Sequence, residues 1–526
     1  MNESNHPPAV ARGAFSAGIA QVIGRISGLL RDVVFAGVFG AGGTADAFFV
    51  AFRVPNMFRE LLAEGTLSNV FVPLFAETSE REGVERAWAL ANALLGVLLV
   101  ILGLLTLGIY VFSEPLVVLV ASGFEDTPGK VELAAWLTRL LAPFLAGISI
   151  AALFGGMLNV RGKFFLPALA PALLNVAIIA ACIWGEIWTE LTATPAIGAV
   201  AAAATFSGIL TAAIQLPTLR RMGFILRPTL RRHPAMGRVL RYVGAALVGV
   251  IVVQFNLIVE TQLASREGDG PVSWLMLGFR LVQIPMSVIA GSVAVAALAR
   301  FSLDQARDDQ EGARKTLSQS MEGMFLLVIP AAVGLYLLAE PLVALCFERG
   351  AFTATDTAAT AIILQGYAFA VVGICAYRVL LPIFFALGDP YLPMKLSLVV
   401  MAIKIPVALA FMNTWGLIGL PLSHAVTVNV EVMVMMAVLH RRIGGWTHGF
   451  GYELARITLA SLLMGAVVVG FDGLLPHMGH FRVVFLCALG AGAFGVFAFV
   501  LKIRAVAPLW ARIQRPKTPP PHRNAE

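Results

Sequence analysis

Predominantly apolar stretches of membrane-spanning length follow one another almost from end to end of this 526-residue chain. A helix needs about 20 residues to cross the roughly 30 Å hydrocarbon core of a bilayer. Fourteen stretches meet that length, at approximately 14–37, 46–75, 86–112, 131–157, 166–187, 195–217, 238–263, 272–299, 316–338, 356–386, 392–412, 416–439, 453–472 and 481–502. Hydrophobic residues make up 58% of the chain and charged residues 13%, about half the share usual in soluble proteins. A water-soluble enzyme and a disordered chain are both excluded, and the expected class is an all-α polytopic membrane protein.

The basic residues orient the spans. With the N-terminus in the cytoplasm, the inward-facing segments hold 25 of the 38 Lys and Arg and the outward loops hold 3, as the positive-inside rule requires. Both termini are then cytoplasmic. The remaining ten lie in or near spans, and Arg25, Arg31, Arg53, Arg59 and Arg280 are among the deepest. An Arg at a helix centre costs about 2.5–3.5 kcal/mol on insertion scales, so such a group needs a polar surrounding. Arg53, Asn56 and Glu60 stand at i, i+3 and i+7 and share one helix face. Two readings compete: pairing with Asp32, Glu60 or Glu64 to lock helices, and a cationic water-filled cavity. The excess of Arg over carboxylates favours the cavity. Guanidinium matches phosphate oxygens in a bidentate way, so the expected substrate is anionic, a phosphate or pyrophosphate.

The chain also repeats itself at an offset of about 226 residues. Tyr110-x3-Glu114-Pro115-Leu116-Val117 recurs as Tyr336-x3-Glu340-Pro341-Leu342-Val343, Gly147 matches Gly373, Gly162 matches Gly388 and Pro167 matches Pro393. Phe52-Arg53 matches Phe279-Arg280 at an offset of 227. Six spans per period give two copies of parallel topology, a plan common in transporters. The expected layout is two pseudo-symmetric six-helix lobes, 1–220 and 221–442, followed by 443–526 with two further spans and a cytoplasmic tail.

Other features are quieter. Cys182, Cys346, Cys375 and Cys487 sit in apolar runs without a CxxC pair and read as buried thiols. His424 reads as a packed or loop-end histidine. Glu260 is an ion site or a partner for a basic residue. Lys404 either pairs with Glu260 or puts its ammonium where a cation would bind. No P-loop is present, which argues against ATP hydrolysis. The Arg-rich 220–238 loop suits anionic lipids.

The stretch GRISGLLRDVVFAGVFGAGGTADAFFVAFRVPNMFRELLAEGTLSNVFVPLFAE resembles the signature of the lipid II flippase (MurJ/MviN) family. Asn159-x-Arg161-Gly162-x-Phe164, Pro167, Pro171 with Asn175, and FERGAFTATDT at 347–357 add looser matches, so the resemblance covers essentially the whole chain. It implies the multidrug/oligosaccharidyl-lipid/polysaccharide exporter fold, with two lobes around a cationic cavity and the last two spans forming a groove for a polyprenyl tail. It implies a non-enzymatic transporter in the bacterial inner membrane that flips undecaprenyl-pyrophosphate-linked peptidoglycan precursor, lipid II, by alternating access. The family's cavity arginines carry onto Arg25, Arg31, Arg59 and Arg280, its acidic partner onto Asp32, the span 2 entry aspartate onto Asp46 and a further basic position onto Arg53. Asn56 joins the expected substrate-binding set by sharing the face of Arg53. The chain departs from the pattern at Gln283, where members often carry an acid. Lys404 stands in span 11 where some members offer a carboxylate for sodium, so no metal and no cofactor are expected. Expected partners are lipid II, membrane lipids and cell-wall synthesis proteins, and no nucleic acid. Competing readings are a flippase for another polyprenyl-linked oligosaccharide and a cation-coupled multidrug exporter.

Overall fold

In the computed structural model the described residues are 7–60, 68–187, 193–230, 254–474 and 479–506. Every long regular element among them is a helix. In chain order these are α1 (Pro7–Phe39), α2 (Gly43–Arg59), α3 (Ser68–Arg81), α4 (Val84–Val111), α5 (Ser113–Val120), α6 (Lys130–Val160), α7 (Phe165–Ala168), α8 (Ala170–Ile187), α9 (Ala193–Arg221), α10 (254–264), α11 (Pro271–Pro285), α12 (Gly291–Ala306), α13 (Gln310–Leu337), α14 (Ala339–Phe347), α15 (Ala354–Ala386), α16 (Tyr391–Trp415), α17 (Gly419–Arg442), α18 (Phe450–Asp472) and α19 (Gly479–Val500).

Nine helical stretches among the described residues are long and apolar enough to cross a bilayer. One of them, Tyr391–Arg442, contains α16 and α17. Span 1 falls on α1, whose apolar run is broken by Arg25, Arg31 and Asp32. Span 2 is divided between α2 and α3, span 5 falls on the shorter α8, and most of span 7 lies outside the described residues. The count of fourteen therefore remains a reading of the sequence. The surface supports membrane embedding directly. Leu104, Leu107 and Phe112, and Phe481, Val484, Val496 and Val500, are large apolar side chains facing outward. Such an extended apolar surface is at home in lipid, where helices satisfy their own backbone groups.

Internal contacts divide the chain into two compact units. One is Met1–Leu277 with Cys346–Thr360, and the other is Gly278–Leu345 with Ala361–Glu526. In the first, α6 packs on α2, α4 and α9, and α1 packs on α8. In the second, α13 packs on α12 and α18, α16 on α17, and α18 on α19.

The sequence repeat reappears as repeated backbone geometry within each unit. The junction between α4 and α5 falls at Phe112, with φ −99° and ψ 25°. The junction between α13 and α14 falls 226 residues later at Leu338, with φ −99° and ψ 18°. Phe112 N–H donates to Gly108 at 2.8 Å, and Leu338 N–H donates to Gly334 at 2.9 Å. The proline after each junction has no N–H to continue the ladder, so the chain jogs and restarts. The second correspondence is a helix stop. Gly162 and Gly388 take φ of +73° and +72°, a left-handed conformation that glycine adopts without the penalty of a Cβ. Lys163 N–H closes back on Leu158 at 2.9 Å, and Asp389 N–H closes back on Phe384 at 3.0 Å.

Candidate functional site

The polar residues of α1 and α2 belong to the first unit. On α1, the face carrying Gly24 and Gly28 meets α8. Asn175 Nδ2 donates to the Gly24 carbonyl at 3.1 Å and to Ser27 Oγ at 3.0 Å. A Cβ at Gly28 would stand 3.4 Å from the Asn175 amide nitrogen, and one at Gly24 would stand 3.5 Å from Pro171 Cβ. Arg31 turns to its neighbour, with Nη2 2.6 Å and Nε 2.9 Å from Asp32 Oδ1, and Asp32 is buried. Arg25 is exposed, and no hydrogen bond or ion pair engages it among the described residues.

Helix α2 runs antiparallel to α10, and polar contacts from Arg53 and Glu60, seven residues apart, join them. Arg53 Nη1 donates to the Leu257 carbonyl at 2.7 Å and to Thr261 Oγ1 at 2.5 Å, while Nη2 lies 2.8 Å from Met276 Sδ of α11. Seven residues further along α2, Glu60 Oε2 accepts from Gln254 Nε2 at 2.5 Å. Seven residues earlier, Asp46 is wholly buried against the residues that follow α10. Its Oδ2 accepts from Gly270 N–H at 2.7 Å, and its Oδ1 accepts from Ser273 N–H at 2.8 Å and Ser273 Oγ at 2.6 Å. Lys130 Nζ completes the cluster, 3.2 Å from Asp46 Oδ2 and 2.5 Å from Asp269 Oδ1. Asp46 thus caps the first turn of α11 from another helix, satisfying donors that a helix start leaves open.

The remaining α2 groups bond along their own helix. Asn56 Nδ2 donates to Glu60 Oε1 at 2.9 Å, and Asn56 Oδ1 accepts from Arg59 Nε at 2.8 Å. Arg59 Nη2 is also 3.7 Å from Glu60 Oε1. The side chains of Arg31 and Arg59 keep 15% and 17% of their surface open. In the second unit, Arg280 Nη1 donates to Gln283 Oε1 at 2.8 Å. The partner at this position is a neutral amide.

The expected residues thus fall into two kinds. Arg53 and Asp46 tie helices together, through contacts that also involve Thr261, Lys130 and Ser273, and Gln254 makes the like contact with Glu60. Thr261, Ser273 and Gln254 escaped the reading of the sequence, although Gln254 and Thr261 share the seven-residue spacing of Glu60 and Arg53. Arg25, Arg31, Asn56, Arg59 and Arg280, with Asp32, form the kind that keeps guanidinium groups near open surface or beside partners on the same helix. No group of three His, Cys, Asp or Glu suited to a metal occurs among the described residues.

The FERGAFTATDT segment belongs to the first unit. Ala351 N–H donates to the Gly37 carbonyl at 2.7 Å. Gly350 has φ of +57°, and a Cβ there would stand 2.2 Å from that same carbonyl. Trp274 Nε1 donates to Asp356 Oδ1 at 3.0 Å. The match at 347–357 therefore reflects a turn pressed onto the end of α1.

Known proteins resemble this chain along most of its length. The family described as Lipid II flippase MurJ matches residues 35–490. A probable lipid II flippase MurJ of Bdellovibrio bacteriovorus is 34% identical over 88% of this chain and 87% of its own length. The lipid II flippase MurJ of Burkholderia cenocepacia is 32% identical over 86% of this chain and 89% of its own. Among solved structures, a lipid II flippase MurJ in an inward closed conformation superposes with a TM-score of 0.80 at 24% identity, covering 94% of this chain and 99% of that one. An inward-facing multidrug resistance MATE family transporter of the MOP superfamily superposes with a TM-score of 0.68 at 16% identity, covering 81% and 94%. The chain is a multi-pass membrane protein and belongs to the lipid II flippase MurJ family.

Proposed function

We propose that this protein is a non-enzymatic transporter that flips lipid II across the bacterial inner membrane, with both termini in the cytoplasm. Family membership carries the substrate class. The observation that carries the site is the exposed Arg25, without a partner among the described residues, on the helix that also presents Arg31. Arg25, Arg31, Arg59 and Arg280 bind the pyrophosphate, whose paired oxygens suit planar guanidinium groups. Asp32 and Asn56 position Arg31 and Arg59. Arg53 and Asp46 act indirectly, by holding α2 against α10 and the start of α11. The site is exposed to the two leaflets in turn, and lipid II and the surrounding membrane lipids are its partners. With the cell interior negative, moving one anionic charge outward gains roughly 2.3 kcal/mol per 100 mV. The potential thus supplies direction without a nucleotide.

The test is complementation in cells depleted of their own flippase, combined with assay of lipid II in the outer leaflet. Arg25→Ala, Arg31→Ala and Arg280→Ala are expected to insert normally and to fail to support growth, with lipid II accumulating in the inner leaflet. Full complementation by all three at normal expression overturns the site assignment. Normal wall synthesis on depletion of the protein itself overturns the function.

A further inference from the structure

Two polar layers cross α15, α16 and α17 in the second unit. In one, Ser397 Oγ donates to Glu431 Oε1 at 2.6 Å, and the Tyr377 hydroxyl lies 3.3 Å from Ser397 Oγ. In the other, Lys404 Nζ lies 3.2 Å from His424 Nδ1, and the Tyr367 ring meets the His424 ring edge-on with centroids 6.2 Å apart. The layers keep a common register. Ser397 and Lys404 are seven residues apart on α16, and His424 and Glu431 are seven apart on α17. Seven residues of helix span about 10.5 Å, and antiparallel neighbours meet again at that step on the same face.

The two layers handle charge differently. Lys404 is 1% exposed, and its Nζ is within hydrogen-bond distance of an imidazole nitrogen. Glu431 is 7% exposed, and the hydroxyl of Ser397 is its donor. Among the described residues no Lys, Arg or His stands within ion-pair distance of it. The other titratable groups on these helices near that layer are Tyr377, Cys375 and the exposed Arg378 of α15 and the exposed Lys395 of α16. A carboxylate enclosed among membrane helices without a counter-ion is costly, and ionisable residues kept there despite the cost mark ion and proton pathways.

We propose that Glu431 is a reversible proton-binding site of this transporter. The carboxylate takes one proton to become the carboxylic acid, and no other bond is made or broken. Ser397 and Tyr377 suit both states, because a hydroxyl donates to the carboxylate and turns to accept from the acid. The oxygens of Glu431, Ser397 and Tyr377 form a short chain along which a proton passes by hydroxyl rotation. Only one group in this short chain is anionic and the other two are hydroxyls, a set that suits a proton. Protonation of Glu431 raises the charge of this part of the unit by one. Loading the site thus changes the charge carried by the second unit.

Dicyclohexylcarbodiimide, an apolar reagent that modifies carboxyl groups in their protonated form, tests this on the full-length protein in liposomes without lipid II. The readout is modification of Glu431 by peptide mass spectrometry, with Glu431→Gln as the blank. Modification is expected at low pH and to fall about tenfold per pH unit above its midpoint, with Ser397→Ala moving that midpoint. Sodium in place of choline is expected to change nothing. No modification at any pH between about 5 and 9, or modification independent of pH over that range, overturns the proposal. Protection by sodium at fixed pH also overturns it, by making the site a sodium site. None of these outcomes depends on flipping, so they leave the substrate assignment to its own test.

Discussion

Asp46 offers a quantitative test of the interhelical bonds. Its carboxylate is wholly buried and accepts from two backbone amides, one hydroxyl and the Lys130 ammonium. Asp46→Ala leaves that ammonium and both amides of the α11 start without this acceptor. Removing one partner of a buried ion pair costs about 3–5 kcal/mol, and each buried donor left unsatisfied costs about 1–3 kcal/mol. Lys130 retains Asp269 at 2.5 Å, a carboxylate whose side chain is 52% exposed. The expected loss is therefore about 3–5 kcal/mol rather than the full sum. At about 2 °C per kcal/mol, the low end of the range for large chains, the melting temperature falls by roughly 6–10 °C. Fluorescence-detected size-exclusion chromatography after heating measures this on the full-length protein in detergent. Asp269→Ala is expected to lose much less, since solvent already screens that partner. Asp46→Ala with Lys130→Met is expected to recover part of the loss, because it removes the stranded charge. Equal damage from Asp46→Ala and Asp269→Ala, or no recovery in the double variant, refutes the reasoning.

Gly350→Ala is expected to lower the melting temperature more than Gly162→Ala. Both impose a cost of about 1–2 kcal/mol for a left-handed backbone, and only Gly350 faces the Gly37 carbonyl while a Cβ at Gly162 meets open space. Asp389 accepts from Arg442 Nη2 at 2.5 Å, a contact that holds its carboxyl below the ordinary carboxylate range. A depressed carboxyl contributes stability above its unfolded titration and loses it as pH falls through its folded one. Wild type and Arg442→Ala are thus expected to differ in melting temperature at neutral pH and to converge in acid below the ordinary Asp range. A difference that persists or grows on acidification refutes this pairing.

The helical, membrane-embedded character was legible because hydropathy is a local property. So was the duplication, since Glu114-Pro115 and Glu340-Pro341 restart a helix wherever they occur. The deep arginines were legible as a group, because Arg in an apolar run has few explanations. Which of them hold helices was not legible. Arg53 is tied down by a backbone carbonyl, a threonine and a methionine, and none of these announces itself as an arginine partner. Asp46 looked like a membrane-entry residue, yet two of its four donors are backbone amides, which nearly every residue type carries. Glu431 and Ser397 passed unremarked for a similar reason. One carboxylate and one serine on separate helices acquire meaning only when packing brings them together.

The seven-residue spacing along α2 and α10 has a consequence for motion. A slide of one residue would break the contacts of Asp46, Arg53 and Glu60 together, leaving polar groups bare in a setting where nothing replaces them. The facing positions come near phase again only after a displacement of a full turn, about 5.4 Å, and then with different residues opposed. The two helices therefore have no graded series of intermediate alignments. They move as a single piece or they separate, and slow creep along their shared axis is closed to them.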